Sequence, residues 1–218
     1  DVFSAIADAG PQFFPTVYDV YEPLSHKCNK NDVDELVRVW VNEENASVTS
    51  QNRYGMGQIL MEHRRKPKIS YQMHWEKGQQ ERFNYFIMSA DSEFLMEENN
   101  FQTFLSLCMK LSVLLDPVQG EIVNCAFPGW DTPINLQVRH PELHWMAFFG
   151  KPYIELFGRD KLLNAPCYST KSIGDNIIAL QMTESPFHAV ADEMRNAVKT
   201  YLDSKAFVEN GKSYRSYK

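Results

Sequence analysis

The sequence predicts an α+β protein, with an antiparallel or mixed sheet packed with several helices in a single domain over 1–218. Three observations lead there. Ile69, Tyr71, Met73 and Trp75 alternate between Lys68 and Trp75, and Phe83, Tyr85 and Ile87 alternate again after the turn 76–81, which is the pattern of a hairpin. Phe101, Phe104, Leu105, Cys108, Leu111 and Leu115 recur at helical spacing. Strands and helices follow no steady strand–helix rhythm, unlike a doubly wound parallel sheet. No internal repeat, low-complexity linker or composition break divides the chain.

The elements are expected as follows. Residues 12–21, rich in Phe, Val and Tyr, read as a strand broken by Pro15, and 26–31 as a polar turn. Asn31 or Asp32 caps a helix, with Glu35 placed to complete a capping box. That helix carries Val33, Leu36, Val37, Trp40 and Val41 and runs to about Glu44. Residues 45–57 read as loop, and Ile59–Met61 begins a strand or short helix. After the hairpin, Asn99 or Asn100 caps the long helix and Asp116-Pro117 ends it. Residues 121–127, 144–149 and 177–182 read as strands. A last helix starts near Pro186 with Val190, Met194, Val198 and Tyr201, and the tail from Gly211 frays.

Between the second and third of those strands lies the densest stretch of Gly, Pro and aromatics, residues 147–166. Pro152 suits the first turn of a short helix, where its missing N–H costs nothing. Tyr153, Leu156 and Phe157 fall on one face. Gly158 is placed to end that helix in a left-handed conformation, Asp160, Leu162 and Leu163 to form a second turn, and Ala165-Pro166 to stop it. This is a rigid scaffold and holds no catalytic constellation.

Composition narrows the function classes. The chain has 218 residues, 44% hydrophobic and 23% charged, as in ordinary globular domains. No apolar run approaches the ~20 residues that span a membrane. Residues 1–10 have neither the basic start nor the apolar run of a signal peptide. A net charge of −6 speaks against a nucleic-acid partner, which needs excess Lys and Arg, and suits a basic protein partner. Cys28, Cys108, Cys125 and Cys167 include no Cys-x-x-Cys pair, so neither a zinc ribbon nor a redox motif is indicated. A reduced, cytosolic setting is the simplest reading, with Cys108 on the apolar face of a helix and Cys125 in a strand.

Several constellations invite a chemical reading. His140, Glu142 and His144 lie on one side of an extended segment and are the best metal candidates. The zinc helix motif, however, requires His-Glu-x-x-His, Pro141 interrupts a helix, and no third strong ligand is visible. A turn leading into a strand is the plainer reading. A Cys167–His188 pair would need closeness that sequence does not display. The basic run 62–68 lacks interleaved aromatics and reads as a solvated face. Gly55-Met-Gly57 lacks the third glycine of a dinucleotide fingerprint, and Gly150-Lys151 is followed by Pro152, so no phosphate loop is present. Asp91, Glu93, Glu97 and Glu98 cluster around Phe94, Leu95 and Met96, an acidic edge about an apolar centre that fits a protein-binding surface. Glu43-Glu44 and the group Asp32, Asp34 and Glu35 form smaller acidic clusters, the latter suited to complementing a helix dipole.

The string Phe149-Gly150, Pro152-Tyr153, Leu156-Phe157-Gly158, Leu162 and Ala165-Pro166 resembles the signature of the immunity protein 52 family. Phe127-Pro128-Gly129-Trp130 upstream, and 178–183 with Ser185-Pro186 downstream, fit the same family. The resemblance covers roughly residues 120–190. It implies a non-enzymatic protein that neutralises a co-encoded bacterial toxin, commonly a nuclease with a restriction-endonuclease-like fold. It implies no cofactor and no metal, a bacterial cytoplasmic location, and neither nucleic acid nor membrane as partner. Trp130, Gly150, Pro152, Tyr153, Phe157, Gly158, Ala165 and Pro166 are then structural. The toxin-facing residues are expected among Asp91, Glu93, Phe94, Glu97, Glu98, Glu43 and Glu44. The alternative is a small metal-dependent hydrolase using His140, Glu142 and His144.

Overall fold

The computed structural model describes residues 1–30, 33–49, 55–77, 84–127 and 142–207. Asn31, Asp32, Phe83, Pro128–Trp130, His140, Pro141 and the tail from Gly211, on which expectations fall, lie outside them. The chain is α+β, with two antiparallel sheets and seven α-helices among the described residues. Its contacts divide it into two compact units, Asp1–Lys110 and Leu111–Lys218. The division falls inside a helix, so no linker composition marks it in the sequence.

The first unit holds α1 (Val2–Asp8), β1 (Val17–Asp19), β2 (His26–Lys27), α2 (Val33–Ser47), β3 (Met56–His63), β4 (Ile69–Glu76), β5 (Tyr85–Ala90), α3 (Ser92–Leu95) and most of α4 (Glu98–Leu115). Its sheet runs β2-β1-β3-β4-β5, every neighbour antiparallel. Ile59 and Met61 of β3 and Ile69, Tyr71, Met73 and Trp75 of β4 are buried on the inner face. The pleat sends the intervening Gln58, Leu60, Glu62, Ser70, Gln72 and His74 to the other side. The Tyr85 and Ile87 expected on one face do share it, and that face is the outward one, with both side chains about two-fifths exposed.

α2 packs on β3, with Leu36 buried and the Trp40 ring stacked on Trp75 at 4.1 Å between centroids. Asp34 and Glu35 occupy its first turn, where carboxylates complement the helix dipole. It runs three residues beyond the expected Glu44. α4 buries Phe101, Phe104, Leu107 and Leu111, while Leu115, expected inside, is exposed. A strict heptad-like stripe drifts round a 3.6-residue helix, and by the last turn it has left the core.

The second unit holds β6 (Gln119–Ile122), β7 (Met146–Phe149), α5 (Lys151–Phe157), α6 (Arg159–Leu163), β8 (Ser169–Ile173), β9 (Ile177–Gln181), α7 (Asp192–Leu202) and a closing 3-10 turn (Ser204–Phe207). Its sheet runs β6-β7-β9-β8, all antiparallel. All four residues of β7 are buried, so this strand is covered on both faces. Phe149, Tyr153, Phe157, Leu162, Leu180, Val198 and Leu202 belong to one core. Two expected strands shift: the first runs Gln119–Ile122, so Cys125, expected in it, lies exposed in the turn that follows, and the second starts at Met146 rather than His144.

Candidate functional site

The turn–helix–turn reading holds in outline, with one difference: Gly158 has a positive φ but an extended ψ of 134°, so it is not the left-handed helical cap. Pro152 sits in the first turn of α5, and Gly158, with φ +89°, separates α5 from α6. A side chain at Gly150 is barred outright, because a Cβ there would lie 2.0 Å from the Pro117 carbonyl oxygen. Tyr153, Phe157 and Ala165 are buried, with Phe149 and Tyr153 ring centroids 5.0 Å apart, while Pro166 is exposed. These residues hold the second core together and offer no reactive group to solvent.

Beside this scaffold lies a cluster of titratable side chains. Glu142, just before β7, takes the Lys199 ammonium of α7 at 2.6 Å on one carboxylate oxygen and 2.8 Å on the other. Burial acts to raise its pKa. The Lys199 hydrogen bond, the Leu143 N–H and the charges of Lys199 and Arg195 outweigh burial and hold it below the ordinary value. Glu121 of β6 has no such cation among the described residues. Its carboxyl is pushed up to about 7, first by burial and then by the negative charge of Glu142. His144 stands 3.6 Å from Glu121 through Nε2. Burial lowers the pKa of His144, and Arg195 and Lys199 add to that against the opposing pull of Glu142. The distance is that of an ion pair, yet both shifts favour the neutral forms. The pair is best described as a buried carboxyl facing a neutral imidazole. Glu121 Oε2 makes no hydrogen bond among the described residues.

The adjoining hollow, lined by Asn124, Phe127, His144, Trp145, His188 and Arg195, has a volume of about 20 Å³. That admits about one water and no substrate. Of the metal candidates, Glu142 is engaged by Lys199, His144 faces Glu121, and His140 is outside the described residues. No group of three His, Cys, Asp or Glu side chains among the described residues could hold a metal ion. The Cys167 thiol donates to the Ser169 carbonyl at 3.3 Å, and burial raises its pKa, so it is not poised as a thiolate.

The acidic candidates divide by their partners. Glu44 accepts the Trp75 indole N–H at 2.9 Å and pairs with Lys77, which ties the end of α2 to the sheet. Glu43 accepts the Tyr21 hydroxyl at 2.8 Å. Asp91 accepts the Lys68 backbone N–H at 2.9 Å. These carboxylates serve the first unit's own structure. Glu93, Glu97 and Glu98 are exposed and have no cation in ion-pair distance among the described residues. Between them Met96 is 67% exposed, while Phe94 turns inward with its ring edge on Phe13 at 5.6 Å. The resulting patch is one protruding thioether beside three exposed carboxylates, of which Glu97 accepts the Asn100 side-chain amide at 3.1 Å and Glu98 that of Gln102 at 2.7 Å.

A second surface is not anticipated from sequence. The outward face of the first sheet is hollowed to about 180 Å³ and lined by Glu22, Leu24, Leu60, Glu62, Gln72 and Ile87. Its signal is the half of each alternation that does not enter the core. Arg64 donates to the Leu24 carbonyl and holds the overhanging loop, and Lys68 stands 3.7 Å from Glu62. No helix among the described residues is long and apolar enough to cross a membrane. No protein-family model, no curated protein and no solved structure matches the chain.

Proposed function

We propose that this chain is a toxin-neutralising binding protein of the immunity protein 52 type, acting in the bacterial cytoplasm without cofactor, metal or turnover. Its partner is a co-encoded toxin, a nuclease with a restriction-endonuclease-like fold, whose basic substrate cleft the chain blocks sterically. The observation that carries the reading is the patch at Met96 with Glu93, Glu97 and Glu98 exposed beside it and without a cation in ion-pair distance among the described residues. An apolar anchor beside acidic groups suits a basic protein surface, because the charges steer encounter and the anchor slows release. The buried members of the string, Phe149, Tyr153, Phe157, Leu162 and Ala165, support the same reading, because a motif spent on the core leaves the surface to vary with the partner.

The test is co-expression with the toxin encoded by the adjacent reading frame. Growth is expected to be restored, and the purified proteins are expected to form a one-to-one complex. Met96→Asp combined with Glu97→Lys is expected to abolish both while leaving the melting curve in place. Rescue lost in His144→Ala with fold and complex intact would instead place chemistry at His144 and overturn a passive block.

A further inference from the structure

We infer that two copies of this chain associate edge to edge along β5, which pairs with itself in antiparallel register about Ile87 and so joins two five-stranded sheets. Four strands end the two sheets: β2 and β5 in the first unit, β6 and β8 in the second. Exposed edges present unpaired N–H and C=O groups, and natural sheets guard them with charge, proline or extreme shortness. β2 has two residues, one of them Lys27; β6 carries Glu121; β8 carries Lys171. β5 reads Tyr-Phe-Ile-Met-Ser-Ala, six residues with neither charge nor proline.

The hydrogen-bond phase of β5 follows from one contact. The Asp91 N–H donates to the Lys68 carbonyl, in register with the Ile69–Ala90 pair. In an antiparallel ladder bonded and non-bonded pairs alternate, so residues 85, 87 and 89 bond to β4. The N–H and C=O groups of Phe86 and Met88 therefore point away from the sheet, and among the described residues they meet no strand.

A second copy satisfies these groups in a register that the sequence favours. Residues opposite each other must share a face, so a two-fold axis through the edge must fall on a residue. Centred on Ile87, it bonds Phe86 to Met88 of the other copy twice over, and it sets Tyr85 opposite Ser89. Ile87 then meets its own counterpart in a non-hydrogen-bonded pair, where side chains approach closest. Every cross-strand contact is apolar or neutral, which is the combination that stabilises sheet pairs. A partner of opposite charge has nothing to grip along this strand. The two copies carry −6 each, so salt should strengthen their association by screening them.

The test uses sedimentation equilibrium of the purified chain from micromolar to near-millimolar concentration. A reversible shift from the 25.3 kDa chain mass to twice that value is expected, with tighter association at higher salt. Ile87→Lys sets Lys against Lys at the axis and is expected to weaken association at least about tenfold. Its unfolding midpoint in dilute solution, where the chain is monomeric, checks that the fold is retained. Ile87→Cys in a Cys125→Ser background is expected to form a disulfide dimer with glutathione disulfide, because the ~4.5 Å Cα separation of a non-hydrogen-bonded pair suits the bond. Phe86→Cys and Met88→Cys are expected to link when mixed and not singly. A chain that stays at 25.3 kDa throughout overturns the inference, as does a dimer indifferent to Ile87→Lys and unlinked by Ile87→Cys.

Discussion

Glu121 and Glu142 belong to one cluster yet carry protons differently, and the difference is the Lys199 ammonium that reaches only Glu142. The stability of the protein should record it. Folded Glu121 holds its proton up to about 7, whereas an unfolded glutamate releases it near ~4.3. Between these values the folded chain binds more protons, so this group's contribution to stability falls as pH rises and is fully lost above about 7. His144 has the opposite sign. Its pKa is lowered, so the unfolded chain binds the extra proton just below the ordinary histidine value, and stability rises with pH there. Glu121→Gln should abolish the fall. It is expected to be near neutral at pH 5 and to stabilise by on the order of 1–3 kcal/mol at pH 8, where the wild type buries a charge. Thermal unfolding across that range measures it, and parallel curves for the two proteins would show that the carboxyl titrates normally.

The unit of α5, Gly158 and α6 places Phe157 where its ring meets both Phe149 and Phe207, at 6.1 and 6.0 Å between centroids. Removing that ring leaves a cavity that the surrounding core fills only in part. Phe157→Ala is expected to cost ~3–5 kcal/mol, lowering the unfolding midpoint before it affects any partner specifically. An unchanged melting curve would place Phe157 outside the core. This segment was legible because Pro and Gly constrain the backbone locally, as was β4, whose buried apolar residues Ile69, Tyr71, Met73 and Trp75 alternate. β8 was not legible. Its only buried residue is Ile173, and it becomes a strand through its partner β9 rather than through any pattern of its own. β2, expected as a turn, is likewise defined by its pairing with β1. At the candidate surfaces, the residue types around Met96 were visible in sequence, but Glu43 and Glu44 look the same there as Glu97 and Glu98. Only the fold brings Tyr21, Trp75 and Lys77 to the first two.

At the scale of the whole molecule, charge governs encounter. With −6 overall and exposed carboxylates beside Met96, association with the proposed basic toxin should slow as salt rises. Reversing Glu97 and Glu98 to Lys should slow it further and flatten the salt dependence, with little change in stability. Stopped-flow mixing at low and high salt reads this directly, and a rate indifferent to both would remove the steering role. Self-association along β5 has the opposite salt dependence, so one salt series separates the two events. The two compact units also differ in how they can be observed. Trp40 and Trp75 lie 4.1 Å apart in the first unit, and indoles this close share their excited states. The chain's other two tryptophans, Trp130 and Trp145, fall in the second half of the sequence. The first unit thus contains a paired chromophore, and near-ultraviolet circular dichroism can follow the seating of α2 on its sheet in unlabelled protein, independently of events in the other half of the chain.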